Sequence, residues 1–169
     1  MQLQEPQDHA LGRSRGGFGT KVHLVCDGHG IVLAVWVTPG QRHESQAFAI
    51  VLLRAKRPRC LGRRRWPKRV AGDKGYSYPG VRAWLRRHHL GGVIPTRKDQ
   101  ARDESFDKAA YRRRSRIEQV IGWYKECRAL GTRYEKLAVN YVALWMVAII
   151  EKLLKRYLKK LKTTLSDRA

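Results

Sequence analysis

Acidic residues are scarce in this 169-residue chain, because 14 Asp and Glu stand against 36 Lys and Arg and leave a formal net charge of +22. Such an imbalance is costly through self-repulsion in a folded chain, and it indicates a polyanionic partner. Nucleic acid is the first candidate and an anionic membrane surface is the second. The 43% of apolar residues is enough for a buried core, which excludes wholesale disorder.

Cysteines and long apolar runs are also few. The three cysteines, Cys26, Cys60 and Cys127, lack CxxC spacing, which argues against a disulfide framework or a cysteine metal site. The longest apolar stretch covers 14 residues, 137–150, and falls short of the roughly 20 that span a bilayer. It predicts a buried helix. No secretory signal opens the sequence, so we expect a cytoplasmic, nucleoid-associated protein without membrane contacts.

Hydrophobic periodicity predicts a mixed α/β domain with two closing helices. A strong turn signal at 27–30 joins the first two strands into a hairpin. We expect strands over 21–26, 31–37, 70–73 and 92–95, and helices over 43–53, 79–89, 109–129 and 136–162. Residues 1–17 are rich in Gly and Arg and are interpreted as a flexible basic lead-in.

A polar stripe marks the helix that begins near residue 109. Tyr111, Arg114, Glu118 and Lys125 are three, four and seven residues apart, so at about 100° per residue they lie within about 60° of one another. The stripe borders the apolar face, which is where the wall of a cleft would lie. The alternative is a solvated basic helix with an ordinary i, i+4 ion pair between Arg114 and Glu118.

Asp73 ends a short apolar strand, the position at which α/β folds place ligand-binding groups. Taken alone, it would simply begin a turn. Together with Glu118 it offers the oxygen ligands that Mg²⁺ requires, and such ions serve phosphoryl transfer. His43 and Glu44 open a helix; Glu44 is interpreted as a dipole partner, with the alternative that the pair faces a metal site.

The spacing Y-x2-R-x3-E-x6-K resembles the motif of bacterial insertion-sequence transposases with a DDE catalytic core. Further blocks follow the order typical of the family-five and family-four insertion sequences. They are GRSRGGFGTKVH at 12–23, TPGQRHES at 38–45, AGDKGYS at 71–77, IPTR at 94–97 and GTRYEKLAVNY at 131–141.

The resemblance implies a ribonuclease-H-like mixed sheet flanked by helices, and cleavage and strand transfer on double-stranded DNA with Mg²⁺ or Mn²⁺. By the same resemblance, Asp73 and Glu118 are the second and third catalytic acids and the metal ligands. Tyr111, Arg114 and Lys125 would contact DNA, whose transposon ends a homodimer would hold in a synaptic complex.

Residues 54–69 form a basic loop with nine Lys or Arg in sixteen positions. Its run Arg63, Arg64 and Arg65 is predicted to bind DNA phosphates, because so many cations would release counterions from a duplex. Trp66 beside it could stack on an unpaired base. The alternative is that the loop only keeps the protein soluble.

The first acid of a DDE core has no clear counterpart. Only eleven residues precede the GRSRGG block, and neither Asp8 nor Asp27 is in a suitable strand. We therefore expect a partial core over 18–135, without the first strand, followed by a C-terminal helix and basic tail over 136–169. The product of an upstream reading frame could supply the missing part. The alternatives are an inactive DNA-binding fragment and a nuclease of the same fold.

Overall fold

The computed structural model of the chain describes residues 7–55 and 67–166. The strands are β1 Gly12–Ser14, β2 Gly17–Cys26, β3 Val32–Pro39, β4 Arg69–Ala71 and β5 Gly91–Val93. The helices are α1 Glu44–Ala55, α2 Pro79–Arg87, α3 Lys108–Arg112, α4 Ser115–Lys125, α5 Arg128–Gly131 and α6 Ala138–Ser166. The predicted mixed α/β class is confirmed, but the helix expected over 109–129 is broken into α3, α4 and α5. Within the described residues, no helix is both long and apolar enough to cross a membrane.

The strands form two separate sheets instead of the one mixed sheet that was predicted. β2 pairs antiparallel with β3 from Thr20 opposite Pro39 to Cys26 opposite Val32, and β1 extends the sheet beside residues 17–19. β4 and β5 make a parallel pair on their own. Beyond Gly19, β2 has β3 on one edge and no described strand on the other. In the same way, β4 has β5 on one edge and no described strand on the other. No described strand therefore joins the two sheets by hydrogen bonds, and the contact between them is made by side chains.

β4 was predicted to be a buried strand, and this is wrong. Arg69 and Ala71 are exposed and Val70 is only half-buried. The reason is the cavity beside β4, because Arg69, Val70 and Ala71 all line it and solvent reaches them there. The parallel register of Val70 with Gly92 matches the expected connection through α2.

The described part of the predicted lead-in, residues 7–17, includes strand β1 and is held by contacts with the rest of the fold. Ala10 is 1% exposed and belongs to the core. The guanidinium of Arg133 donates to the carbonyl oxygens of His9, at 2.7 Å, and Ala10, at 3.2 Å. It also donates to the Thr20 hydroxyl and to the Glu135 carbonyl. One side chain thus fastens the start of the described chain to the α5–α6 junction.

Two apolar clusters fill the fold. The first lies between the β2–β3 hairpin and helices α4, α5 and α6, and Val120 and Trp145 are its most enclosed large side chains. The second joins α1, α2 and the end of β5, and Ile94 lies at its centre with 1% exposure. The hairpin therefore supports α4, the helix that carries Glu118.

α6 is buried on one face only, and only over its first turns. Ala138, Tyr141, Val142 and Trp145 are buried, but Val147 and Ile150 are exposed. The prediction that 137–150 forms a buried helix is thus correct for one face. From Glu151 to Ser166 every side chain is exposed.

The fold should lose stability in mild acid because of His23. This side chain is 4% exposed, and its Nε2 lies 2.8 Å from the Thr38 hydroxyl. Burial, aided by the charge of Lys21, lowers the pKa of His23 from 6.5 to about 4. The folded state disfavours the protonated ring. The contribution of neutral His23 to the free energy of unfolding is therefore complete above pH 6.5 and is lost as the pH falls toward 4. Urea unfolding should show a loss of roughly 3 kcal/mol across this window.

The variant His23→Gln should flatten that pH dependence. The matched control is His29→Gln in the exposed β2–β3 turn, which should retain it. If the free energy of unfolding fell equally with pH in the wild type and in His23→Gln, His23 would not be the cause of the acid sensitivity.

Candidate functional site

Asp73 lies two residues beyond β4 and caps a short 3-10 turn, Lys74–Tyr76. Its Oδ1 accepts a hydrogen bond from the Gly75 backbone N–H at 2.9 Å. The side chain is exposed, so the cap uses one oxygen and leaves the carboxylate open to solvent. The turn-forming role that the sequence suggests is therefore present, and it does not prevent a second role.

Glu44, at the start of α1, lies beside Asp73. A β-carbon built on Gly75 would be 3.0 Å from Oδ1 of Asp73 and closer still to Oε2 of Glu44, so both carboxylates border one glycine. Burial raises the pKa of Tyr76, and the charges of Glu44 and Asp73 raise it further. Lys21 offsets part of this negative charge, with its Nζ 3.6 Å from Glu44.

The proximity of Glu44 to Asp73 is the feature that sequence reasoning underestimated. Glu44 was interpreted as a helix-dipole partner, because nothing local indicates that residues 29 positions apart meet at one turn. The signal in the sequence was that both residues lie in blocks that carry the family resemblance, Glu44 in TPGQRHES and Asp73 in AGDKGYS.

His43 does not join the two acids as a ligand. Its Nε2 lies 2.6 Å from the Tyr78 hydroxyl and its Nδ1 3.0 Å from the Ser45 hydroxyl. Both ring nitrogens are therefore engaged within the protein. The Arg97 guanidinium lies 5.0 Å from the centre of the Tyr78 ring and adds a cation to the same surface.

The structure brings together three of the four stripe residues. Arg114 donates from Nη2 to Oε1 of Glu118 at 2.6 Å, and its guanidinium carbon lies 5.3 Å from the centre of the Tyr111 ring. The Arg114 side chain is 23% exposed and that of Glu118 is 60% exposed. The cluster forms even though the helix is interrupted between α3 and α4, because Arg113 and Arg114 keep nearly helical backbone angles.

Lys125 ends α4 and is exposed, about two turns beyond Glu118. The same helical region presents further exposed cations, namely Lys108, Arg112, Arg113 and Arg116. Together they give α3 and α4 a basic surface that is suited to phosphates. Arg63, Arg64, Arg65 and Trp66, which were predicted to contact DNA, lie outside the described residues.

A cavity of about 540 Å³ lies between the two sheets. Its walls include β2 near Leu24, β4 near Val70, and the helix pair near Ile117. Gly72, the neighbour of Asp73, and Arg114, the partner of Glu118, both contribute to the lining. The two candidate acids therefore adjoin the same cavity through their neighbours, although neither lines it.

The described residues do not provide a complete metal site. Among them, no group of three or more His, Cys, Asp and Glu side chains is placed to hold an ion. Mg²⁺ prefers six oxygen ligands, and two ions acting as a pair need several carboxylates between them. One carboxylate oxygen of Asp73 already accepts the hydrogen bond of the cap, and one carboxylate oxygen of Glu118 already accepts a hydrogen bond from Arg114. The donor set is thus too small for a two-ion site.

Comparison with known families gave a match over most of the chain. A family model described as a transposase DDE domain matches residues 2–150, a range that contains Glu44, Asp73, the α3–α4 cluster and Lys125. Neither the curated proteins nor the solved structures gave a match.

Conservative variants should separate the capping role of Asp73 from its charge. Asn caps a helical turn about as well as Asp does, so Asp73→Asn should change the free energy of unfolding by less than about 0.3 kcal/mol. Asp73→Ala removes the cap and should cost about 0.5–1 kcal/mol. Glu118→Gln, which breaks one exposed i, i+4 pair, should cost less than about 0.5 kcal/mol. Urea unfolding measures all three, and an equal cost for Asn and Ala at position 73 would rule out the cap.

Proposed function

The chain belongs to the transposase DDE domain family, and we propose that it is the partial catalytic core of an insertion-sequence transposase. In this proposal it holds DNA beside Asp73 and Glu118, and it needs one further strand with an acid to cut that DNA. The observation that carries the proposal is the cluster in which Arg114 joins Glu118 to Tyr111. These are the residues whose spacing carries the resemblance.

The basic surface supports a role in DNA binding. With a net charge of +22 and a run of exposed cations on α3 and α4, the protein is suited to bind the phosphate backbone. Arg114 is held between a carboxylate and an aromatic ring, so little side-chain freedom is lost when it contacts a phosphate. Lys125 extends this surface along the same helix.

The acids support a role in phosphoryl transfer. DDE transposase domains generally depend on a divalent metal, which activates the attacking oxygen and neutralises charge on the leaving one. We assign Asp73 and Glu118 as ligands, with Mg²⁺ or Mn²⁺ as the ion. The protein's own contribution is to aim these carboxylates and to place cations where phosphates approach.

The split sheet supports the proposal that a strand is needed to complete the site. β2 past Gly19 and β4 each have an edge with no described partner, and an apolar cavity lies between them. A strand that paired with both edges would join the sheets into one mixed, ribonuclease-H-like sheet and cover the exposed Ala71. An acid on that strand would be carried toward the end of β4, where Asp73 lies.

For the chain on its own, the same split sheet favours a second candidate function, that of a protein that binds DNA without cutting it. The two candidates share the basic surface and differ in whether phosphodiester cleavage occurs. Binding and cleavage therefore need separate measurements.

DNA binding should be strong and steeply dependent on salt. A plot of log K against log salt should have a slope steeper than about −3, because each neutralised phosphate contributes roughly −0.9. Lys125→Ala should make the slope shallower by about one unit. The control is Lys159→Ala, an exposed cation on α6, which should leave the slope unchanged. Fluorescence anisotropy with a labelled duplex measures each slope, and a wild-type slope shallower than −3 would contradict the DNA-holding role.

Cleavage by the chain alone should be absent. A labelled duplex taken from the DNA that borders the gene, incubated with Mg²⁺ or Mn²⁺, should show no specific 3′-end nicking. Specific nicking by the wild type that is lost in Asp73→Asn and Glu118→Gln would show that the chain is complete without a further strand. In that case, strand-transfer products on a supercoiled target would indicate a transposase, and hydrolysis alone a nuclease.

A further inference from the structure

The hairpin formed by β1 and the first residues of β2 carries a large aromatic side chain in water. We call residues 12–19 the β1–β2 ribbon, which turns between the paired residues Ser14 and Gly17. Phe18 in this ribbon is 72% exposed and belongs to neither of the two apolar clusters of the described fold. Single exposed apolar residues are common on protein surfaces, and it is the arrangement around Phe18 that sets it apart.

Phe18 and Arg13 stand on the same face of the ribbon. They are directly opposite each other in the antiparallel register, and opposed residues project their side chains to the same side of a sheet. The positions on the other face are three glycines and Ser14, whose hydroxyl donates to the Gly17 carbonyl at 3.0 Å. The ribbon therefore offers a cation and an aromatic ring on one face, and little more than backbone on the other.

The base of the ribbon is fixed to the turn that leads into α1. The Gly40 backbone N–H donates to the Gly19 carbonyl at 3.0 Å. The Gln41 side chain packs directly on Gly12, where a β-carbon would collide with it. Beyond these contacts, residues 13–18 are mostly exposed. Because its base is held in this way, the ribbon projects as a preformed element and would lose little conformational freedom on binding.

The ribbon adjoins the candidate acids through Lys21. This residue lies three positions after Phe18, about 10 Å farther along the strand. Its Nζ is 3.0 Å from the Arg42 carbonyl oxygen and 3.6 Å from Oε1 of Glu44, and Glu44 borders the turn that Asp73 caps. Since successive base pairs are about 3.4 Å apart, a duplex bound at Asp73 would have Phe18 within several base pairs.

The residue types of the ribbon suit insertion into a duplex. A two-stranded β-ribbon fits a DNA groove, and proteins that kink DNA push an apolar side chain, such as Phe, between two base pairs. Arg13 and Arg15 supply cations for the phosphates that border such a contact. Residues 12–19 hold these two Arg and no Asp or Glu, so their charge favours a polyanion over an apolar protein surface.

We propose that Phe18 is a wedge that enters DNA next to the candidate acids, so that the β1–β2 ribbon selects DNA by how readily its base pairs unstack. This inference rests on the proposed role in holding DNA, and it adds a residue that discriminates between DNA sites. The cations of α3 and α4 contact phosphates, which carry no direct sequence information. Steps such as TA are flexible, so sites with such steps near the acids would be favoured.

Two duplexes of the same sequence, one of them with a central mismatch, test the proposal. Insertion costs unstacking, and a mismatch lowers that cost. The full-length wild type should therefore bind the mismatched duplex about 10-fold more tightly than the paired one, as measured by fluorescence anisotropy at fixed salt. Phe18→Ala should bind both duplexes equally. Its slope of log K against log salt on the paired duplex should equal that of the wild type, because the substitution removes no charge.

A conservative variant and a matched control accompany this measurement. Phe18→Trp should keep the preference for the mismatch, because an aromatic ring is still present to insert. Tyr157→Ala removes another exposed ring, at 61% exposure, and should also keep the preference. The neighbouring Arg156 donates to the His29 carbonyl in the β2–β3 turn, which places this part of α6 at the opposite end of β2 from Phe18. Circular dichroism should show that each variant is folded.

The salt slope of the wild type separates a failure of this inference from a failure of the proposed function. A steep slope without any preference for the mismatch, or with the same preference in Phe18→Ala as in the wild type, would overturn the wedge and leave the DNA-holding role intact. A slope shallower than about −3 would contradict the DNA-holding role and the wedge with it. A preference that depends on Phe18 and not on Tyr157 would support the wedge.

Discussion

The antiparallel pairing of β2 with β3 is the interaction on which the rest of the structure depends. Val35 and Val37 of β3 form one wall of the larger core, opposite Val120 and Trp145. α1 follows β3 directly and leads into the second core through Phe48. Because the hairpin brings these layers together, it also sets where Glu44 at the start of α1 lies. The position of Glu44 beside Asp73 is therefore an outcome of hairpin packing more than of any local sequence signal.

The cationic half of the candidate site is more nearly complete than its acidic half. Arg114 donates from Nη2 to Glu118 and lies over the Tyr111 ring, and the helix pair around it is rich in exposed cations. The acids are placed differently, since Asp73 is exposed at a turn and Glu118 projects from a helix. In the proposed transposase, the cations that would stabilise the charge of phosphoryl transfer are thus in place, whereas the set of metal ligands is incomplete.

Sequence reasoning succeeded where the physics is local. Alternation and the turn at 27–30 predicted the hairpin, and helical spacing predicted that Tyr111, Arg114 and Glu118 would meet. It failed where distant residues decide. Ala10 is buried because Arg133 bonds its carbonyl from 123 positions away, and no pattern in residues 1–17 reveals this. The separation of the sheets likewise depends on which strand edges find partners, and that is a property of the whole fold.

The bonds of Arg133 have a consequence for synthesis on the ribosome. The first β-strands emerge early, but the helices that cover the hairpin begin only at Ser115, and Arg133, which fastens the start of the described chain, comes later still. Until then the nascent chain exposes Val32, Val35 and Val37 together with unpaired strand edges, a state that invites association with other chains. The larger core of this protein therefore folds late in synthesis, and a chain that stalls or is released before these helices are made would be a substrate for chaperones.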